Sequence, residues 1–167
     1  MRLVLDRETL DKDRNYHSWR GELHMRQAKI EKAFERAEEL QEQGDTEQAK
    51  RWYYKAAKAG YLPAELSLAD LLDEEEHYPE AEFWYREAAR TGDSLAVFNL
   101  AGLVSMRGNE DQAQKLYRLL VNNAPLFAAD AAYGLSQSLQ KEGRSSEAAQ
   151  WLNKAYELGF SGVSTED

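Results

Sequence analysis

AKRWYYKAAKAG, residues 49–60, returns 32 residues later as AEFWYREAARTG, residues 81–92. Ala49, Trp52, Tyr53, Ala56, Ala57 and Gly60 are matched in place by Ala81, Trp84, Tyr85, Ala88, Ala89 and Gly92. A looser third copy runs through Ala113, Leu116, Tyr117, Leu120, Val121 and Ala124. The fourth, 35 residues beyond the third, is Ala148, Trp151, Leu152, Ala155, Tyr156 and Gly159. A unit of this size cannot bury its apolar face alone and must lean on a neighbour, so a near-constant period predicts stacked repeats.

Each repeat divides into two helices. Phe34, Ala37 and Leu40 stand at helical spacing ahead of the first copy, and Leu66, Ala69 and Leu72 match them ahead of the second. Phe98, Ala101 and Val104, then Tyr133, Ser136 and Leu139, complete the series. The turn between the two helices falls five residues before the first alanine, at Gly44, Glu76, Gly108 and Gly143. Glycine suits a helix that must stop in a left-handed conformation. Asp45, Asn109 and Ser145 or Ser146 are placed to cap the helix that follows. Ala49, Ala81, Ala113 and Ala148 lie where that second helix approaches the first, since a large side chain would hold the axes apart. The Trp52–Tyr53 and Trp84–Tyr85 pairs are predicted to fill space between repeats.

At 167 residues with 43% hydrophobic content, the chain fits one domain with a core running along its repeats. No apolar run approaches the ~20 residues of a membrane helix, and the opening MRLVLDRETLDKDR lacks the apolar region of a secretory signal. These features predict a soluble, cytoplasmic protein with no membrane association. Zero cysteines exclude disulfides, thiolate metal sites and cysteine nucleophiles. A net charge of −9 argues against nucleic acid as a partner, because such binding draws on lysines and arginines that release phosphate counterions. The acidity is concentrated: residues 62–92 hold nine acidic residues against Arg86 and Arg90.

The phrases WYYKAAKAGYLPAELSLADLL and WYREAARTGDSLAVFNLAGLV resemble the Sel-one-like repeat family, whose units read roughly A-x-x-W-Y-x-x-A-A-x-x-G-x-x-x-A-x-x-x-L-A. The spacing from turn glycine to alanine also resembles the tetratricopeptide pattern, a helix-turn-helix unit. The likeness covers about Lys32 to Gly159. It weakens in the third copy, where Leu116 replaces tryptophan and Asn123–Pro125 replaces the Ala-x-x-Gly ending. The resemblance implies an all-α, right-handed α/α superhelical solenoid of about four repeats. It further implies a noncatalytic adaptor, scaffold or chaperone that binds a protein, with the tetratricopeptide chaperones of bacterial secretion systems as the narrower version. The competing class is an enzyme or ligand-binding regulator using the groove as a pocket.

The domain plan is therefore an N-terminal extension and start of a long helix at 1–29, repeats at 30–160 and an acidic, disordered tail at 161–167. Residues 1–17 show no convincing periodicity. Trp19, Leu23, Ile30, Ala33, Ala37 and Leu40 share one face of a helix predicted from about Ser18 to Gln43. That helix either caps the open end of the repeats or pairs with another chain, giving a monomer or a weak homodimer.

No hydrolase, phosphate-loop or zinc-helix motif occurs, and no cofactor is expected. His17 and His24 are too far apart along a helix to chelate one ion. His77 beside Glu74, Glu75 and Glu76 invites a metal, but a charge run at a turn is usually a solvated surface, so no metal is expected either. In a tetratricopeptide-like array the first helices line the concave face. Matching repeats by their alanines places Glu31, Glu38, Glu42, Asp70, Asp73 and Glu74 there, followed by Phe98, Gly102, Ser105, Met106, Tyr133, Gln137, Gln140 and Lys141. Such a groove, acidic at one end and more apolar at the other, suits an extended or helical peptide with basic and apolar residues. The alternative is that the acids only solvate the surface and the aromatics are core. Glu82 and Glu87 fall on the opposite side.

Overall fold

The computed structural model describes the backbone of residues 7–162 and the side chains of residues 22–162. Among the described residues eight α-helices follow one another: α1 (Arg7–Glu42), α2 (Thr46–Ala57), α3 (Leu62–Glu74), α4 (Tyr78–Ala89), α5 (Ser94–Met106), α6 (Glu110–Asn123), α7 (Ala128–Lys141) and α8 (Ser145–Glu157). No strand occurs among the described residues. The chain forms two compact units, Met1–Ala64 and Glu65–Asp167. Residues 163–167 of the predicted tail lie outside the described residues.

In the first unit α1 packs on α2. Ala33, Ala37 and Leu40 of α1 and Ala49, Tyr53, Ala56 and Ala57 of α2 are buried, as the alanine register requires. The half-buried Phe34 ring lies 5.5 Å from Tyr53 and 5.3 Å from Tyr61. The helix is already formed at Arg7, the first described residue, well ahead of Ser18. The charged stretch before Ser18 has no apolar period, so its helicity left no packing signal to read. Residues 22–29 are all exposed. Leu23, expected on the covered face, is 43% exposed, so the stripe is covered only from about Ile30 onward. The Trp19 side chain lies outside the described ones.

In the second unit α4 packs on α5, α5 on α6, α6 on α7 and α7 on α8. The apolar sequence of α5 explains its central place: Ala96, Val97, Leu100, Ala101, Leu103 and Val104 are all buried. Leu135 and Leu139 of α7 are fully buried, each contributing about 1.5–3 kcal/mol of transfer free energy. Ala81, Ala113 and Ala148 are at most 1% exposed, so the second helices pack as closely as the spacing predicts.

The four turn positions share one geometry. Gly44, Gly108 and Gly143 have φ of 79°, 82° and 75°, and Glu76 takes 61°, the positive φ of a non-glycine residue. Each turn closes with the same pair of backbone bonds, such as Gly44 N to Gln41 O and Asp45 N to Leu40 O. In the second repeat these are Glu76 N to Asp73 O and His77 N to Leu72 O. This Schellman pattern satisfies carbonyls that the helix end would leave open. Asp45 and Asn109 cap the next helix through the amides of Gln48 and Gln112. The fourth turn differs from expectation: Arg144 holds the cap position without a side-chain cap, and Ser145 is already helical. Arg144 instead pairs with Glu147 at 2.7 Å.

Candidate functional site

The carboxylates predicted on α3 and the apolar residues predicted on α5 line one cavity of about 440 Å³. Asp70, Asp73 and Glu74 share a face of α3 because they stand at i, i+3 and i+4. Phe98, Gly102 and Met106 fall four residues apart along α5, with Asn99 and Leu103 beside them. The cavity wall is therefore acidic on one side and apolar on the other. Tyr85 of α4 completes it.

Two of these residues do something the spacing did not disclose. The Tyr85 hydroxyl donates to Asp70 Oδ1 at 2.6 Å, and Asn99 Nδ2 donates to the same oxygen at 3.3 Å. Burial pushes the Tyr85 hydroxyl pKa far above the ordinary phenol value, and its bond to Asp70 adds to the effect. Burial, then the charges of Asp70 and Glu74, raise the carboxyl of Asp73. Among the described residues no lysine or arginine forms an ion pair with Asp70, Asp73 or Glu74. By contrast Glu82 pairs with both Arg86 and Arg107, and Glu87 with Arg90.

Tyr133, Gln137 and Lys141 come together with Ser136 and Gln140 of α7 and Leu152 of α8 around a second cavity, of about 450 Å³. The Tyr133 ring stacks on Phe160 at 4.2 Å. Phe98 is held by edge-on and tilted contacts instead, 6.3 Å from Tyr117 and 5.7 Å from Phe127. Both aromatics are half-buried, packed on the interior while one edge lines a cavity.

Ser105, expected in the groove, lines neither cavity. It is 8% exposed, and its hydroxyl donates to Glu110 Oε2 at 2.9 Å. Ser138, fully buried, donates to the same oxygen at 2.5 Å, and Lys141 pairs with Glu110 Oε1 at 3.1 Å while reaching Ser105 Oγ at 2.9 Å. Burial opposes ionisation of Glu110, but the bonds from Ser138, Ser105 and Lys141 outweigh it and hold its carboxyl below the usual range. Lys141 is thus shared between the second cavity and a network joining α5, α6 and α7. Glu31, Glu38 and Glu42 are exposed on α1 in the first unit, and Glu31 accepts from Gln27 at 2.9 Å.

His77 stands 3.4 Å from Glu75. Among the described residues no group of three or more histidine, aspartate or glutamate side chains is arranged to hold a metal ion, and no helix is long and apolar enough to cross a membrane.

Solved structures share this arrangement of helices. MamA matches with a TM-score of 0.69 at 16% identity, over 93% of this chain and 96% of that one. A tetratricopeptide repeat protein from Parabacteroides merdae matches at 0.70 and 19%, over 80% of this chain and 55% of that one. BtubC (BKLC) from P. vanneervenii matches at 0.67 and 16%, over 77% and 62%. The matched part of each of the last two is under two thirds of its length. At these identities the likeness defines the fold, a tetratricopeptide-like array of helix-turn-helix repeats, as the residue spacing predicts. No family model matches the chain, and no curated protein matches it.

Proposed function

We propose that this chain is a noncatalytic interaction module that holds an extended or helical segment of a partner protein, carrying basic and apolar residues, against its first helices. One observation carries the reading: three carboxylates without a cationic partner border a cavity whose other wall is Phe98, Leu103 and Met106. A protein that needed those acids only for solubility would have no reason to place them beside an apolar recess. The repeat fold supports the reading, since stacked helix pairs offer an extended surface for a partner. Charge complementarity would steer the encounter and set specificity more than raw affinity.

The test reverses Asp70, Asp73 and Glu74 to lysine together and compares capture of a partner from the source cell with capture by the parent protein. Glu82 and Glu87 are poor controls because their ion pairs would break. Glu80 and Asp111, exposed acids on second helices, serve instead. Helicity by circular dichroism should persist in both variants. Affinity and its salt dependence should fall only in the groove variant. Equal losses in both would reduce the attraction to diffuse net charge and remove the groove from the account.

A further inference from the structure

We infer that the cavity formed by α3 and α5 takes a lysine side chain of the partner and prefers it to arginine, an inference that rests on the groove reading above. A carboxylate offers about four lone-pair positions on two oxygens. Oδ1 of Asp70 already accepts from Tyr85 and Asn99, so Oδ2 is the oxygen left for a ligand. A guanidinium is a planar fork that pairs best with both oxygens of one carboxylate. Asp70 denies it that geometry, so the fork can pair fully only with Asp73 or Glu74 and gains little from Asp70. An ammonium instead points three donors in diverging directions and needs one oxygen from each acceptor.

The spacing of the acids fits the same cation. Carboxylates at i, i+3 and i+4 leave one helix face as a triangle with Cβ separations of about 5–6 Å. They do not converge on a point a bare metal ion could occupy. A ligand that spreads its donors can bridge Asp70, Asp73 and Glu74, which lack a cation of their own. The opposite wall answers the rest of a lysine: Phe98, Leu103 and Met106 supply apolar surface for a four-carbon stem. At Gly102 the place a Cβ would fill is open, which widens the recess. Tyr85 and Asn99 are then positioning residues, setting which oxygen of Asp70 faces the ligand.

The experiment is an NMR titration of the full chain, labelled at amides and methionine methyls, with three peptides. Each is acetyl-Ala-Leu-X-Leu-Ala-amide, with lysine, arginine or norleucine at X. The lysine peptide should shift the Asn99 side-chain amide, the Gly102 amide and the Met106 methyl. It should bind about threefold or more tighter than the arginine peptide and roughly tenfold tighter than norleucine. In Asn99→Ala and in Tyr85→Phe, each of which removes one of the two donors on Oδ1 and opens one of its lone pairs, the lysine-to-arginine ratio should move toward one. Arginine binding as well as lysine at these three signals overturns the lysine preference and leaves the groove reading standing. A ratio unchanged in both variants overturns the role of the pinned oxygen. No shift at these signals with any peptide at several millimolar overturns the groove reading, and this inference with it.

Discussion

The Tyr85 hydroxyl, on a residue 2% exposed, bonds the Asp70 carboxylate at 2.6 Å, while one repeat earlier the equivalent Tyr53 hydroxyl bonds the neutral amide oxygen of Gln41 at 2.7 Å. The repeat conserves the donor and changes the acceptor from an amide to a charge. A hydrogen bond to a charged group contributes about 1.5–3 kcal/mol, against roughly 0.5–1.5 for a neutral pair. Tyr85→Phe should therefore lower the urea midpoint more than Tyr53→Phe. Equal losses would mean that water compensates Asp70 fully once the hydroxyl is gone.

Glu76 holds the left-handed turn position that glycine holds in the other three repeats. The left-handed conformation costs an L-residue about 1–2 kcal/mol, offset in part by the larger unfolded-state entropy of glycine. Glu76→Gly should raise stability by about 0.5–1 kcal/mol at unchanged denaturant slope. Gly108→Ala should do the reverse. A destabilised Glu76→Gly would show that this side chain contributes something the backbone strain conceals.

Gly134 and Gly102 both lie within helices, but they meet different surroundings. A Cβ on Gly134 would stand 2.6 Å from Cζ of Tyr117, a ring that is 7% exposed and has little room to move. Gly134→Ala should cost about 1–3 kcal/mol as overpacking. A Cβ on Gly102 meets nothing within 4 Å. Gly102→Ala should gain about 0.5–1 kcal/mol from helix propensity while filling part of the cavity, so that stability rises as peptide binding falls. Thermal melts of the two variants moving in the same direction would contradict this assignment.

The fold was legible because its signals are repeated and local: alanines that must be small, turns that must be left-handed, aromatics at one register. Glu76 shows how far this reached, since its position alone placed it at the turn despite its chemistry, and its left-handed backbone follows the glycines of the other repeats. The cavity lining was legible in outline, because Asp70, Asp73, Glu74, Phe98 and Met106 follow from helix periodicity once the repeats are aligned. What escaped was pairwise. Ser105 shares the register of the groove yet turns inward because Glu110 and Lys141 hold it, and no spacing rule couples those three. Asn99 and the Tyr85 hydroxyl meet at Asp70 only through packing of α3, α4 and α5. The early part of α1 escaped for the opposite reason, having no apolar period to read.

Two carboxyls of opposite tendency, the buried Glu65 and the half-buried Glu110, give the stability a readable pH dependence. Burial, reinforced by the charge of Glu87, raises the carboxyl of Glu65, which is 7% exposed. The folded protein then holds this proton more tightly than the unfolded chain, so stability falls as pH rises from the unfolded value through the raised folded one. At neutral pH the ionised form of Glu65 is less favourable to folding than its protonated form. Glu110 is held below the usual range, so its contribution is complete above the unfolded value of roughly 4.3 and is lost as pH falls through the depressed folded value. Glu65→Gln should therefore be more stable than the parent at neutral pH, with an advantage that shrinks as acid protonates the parent carboxyl. Glu110→Gln should be less stable at neutral pH, with a deficit that shrinks below about pH 4. Urea midpoints from about pH 3 to about pH 8 test both. A Glu65→Gln midpoint at or below that of the parent at neutral pH would show that the buried carboxylate has a stabilising partner, and a Glu110→Gln deficit independent of pH would mean the network depends on the shape of Glu110 and not on its charge.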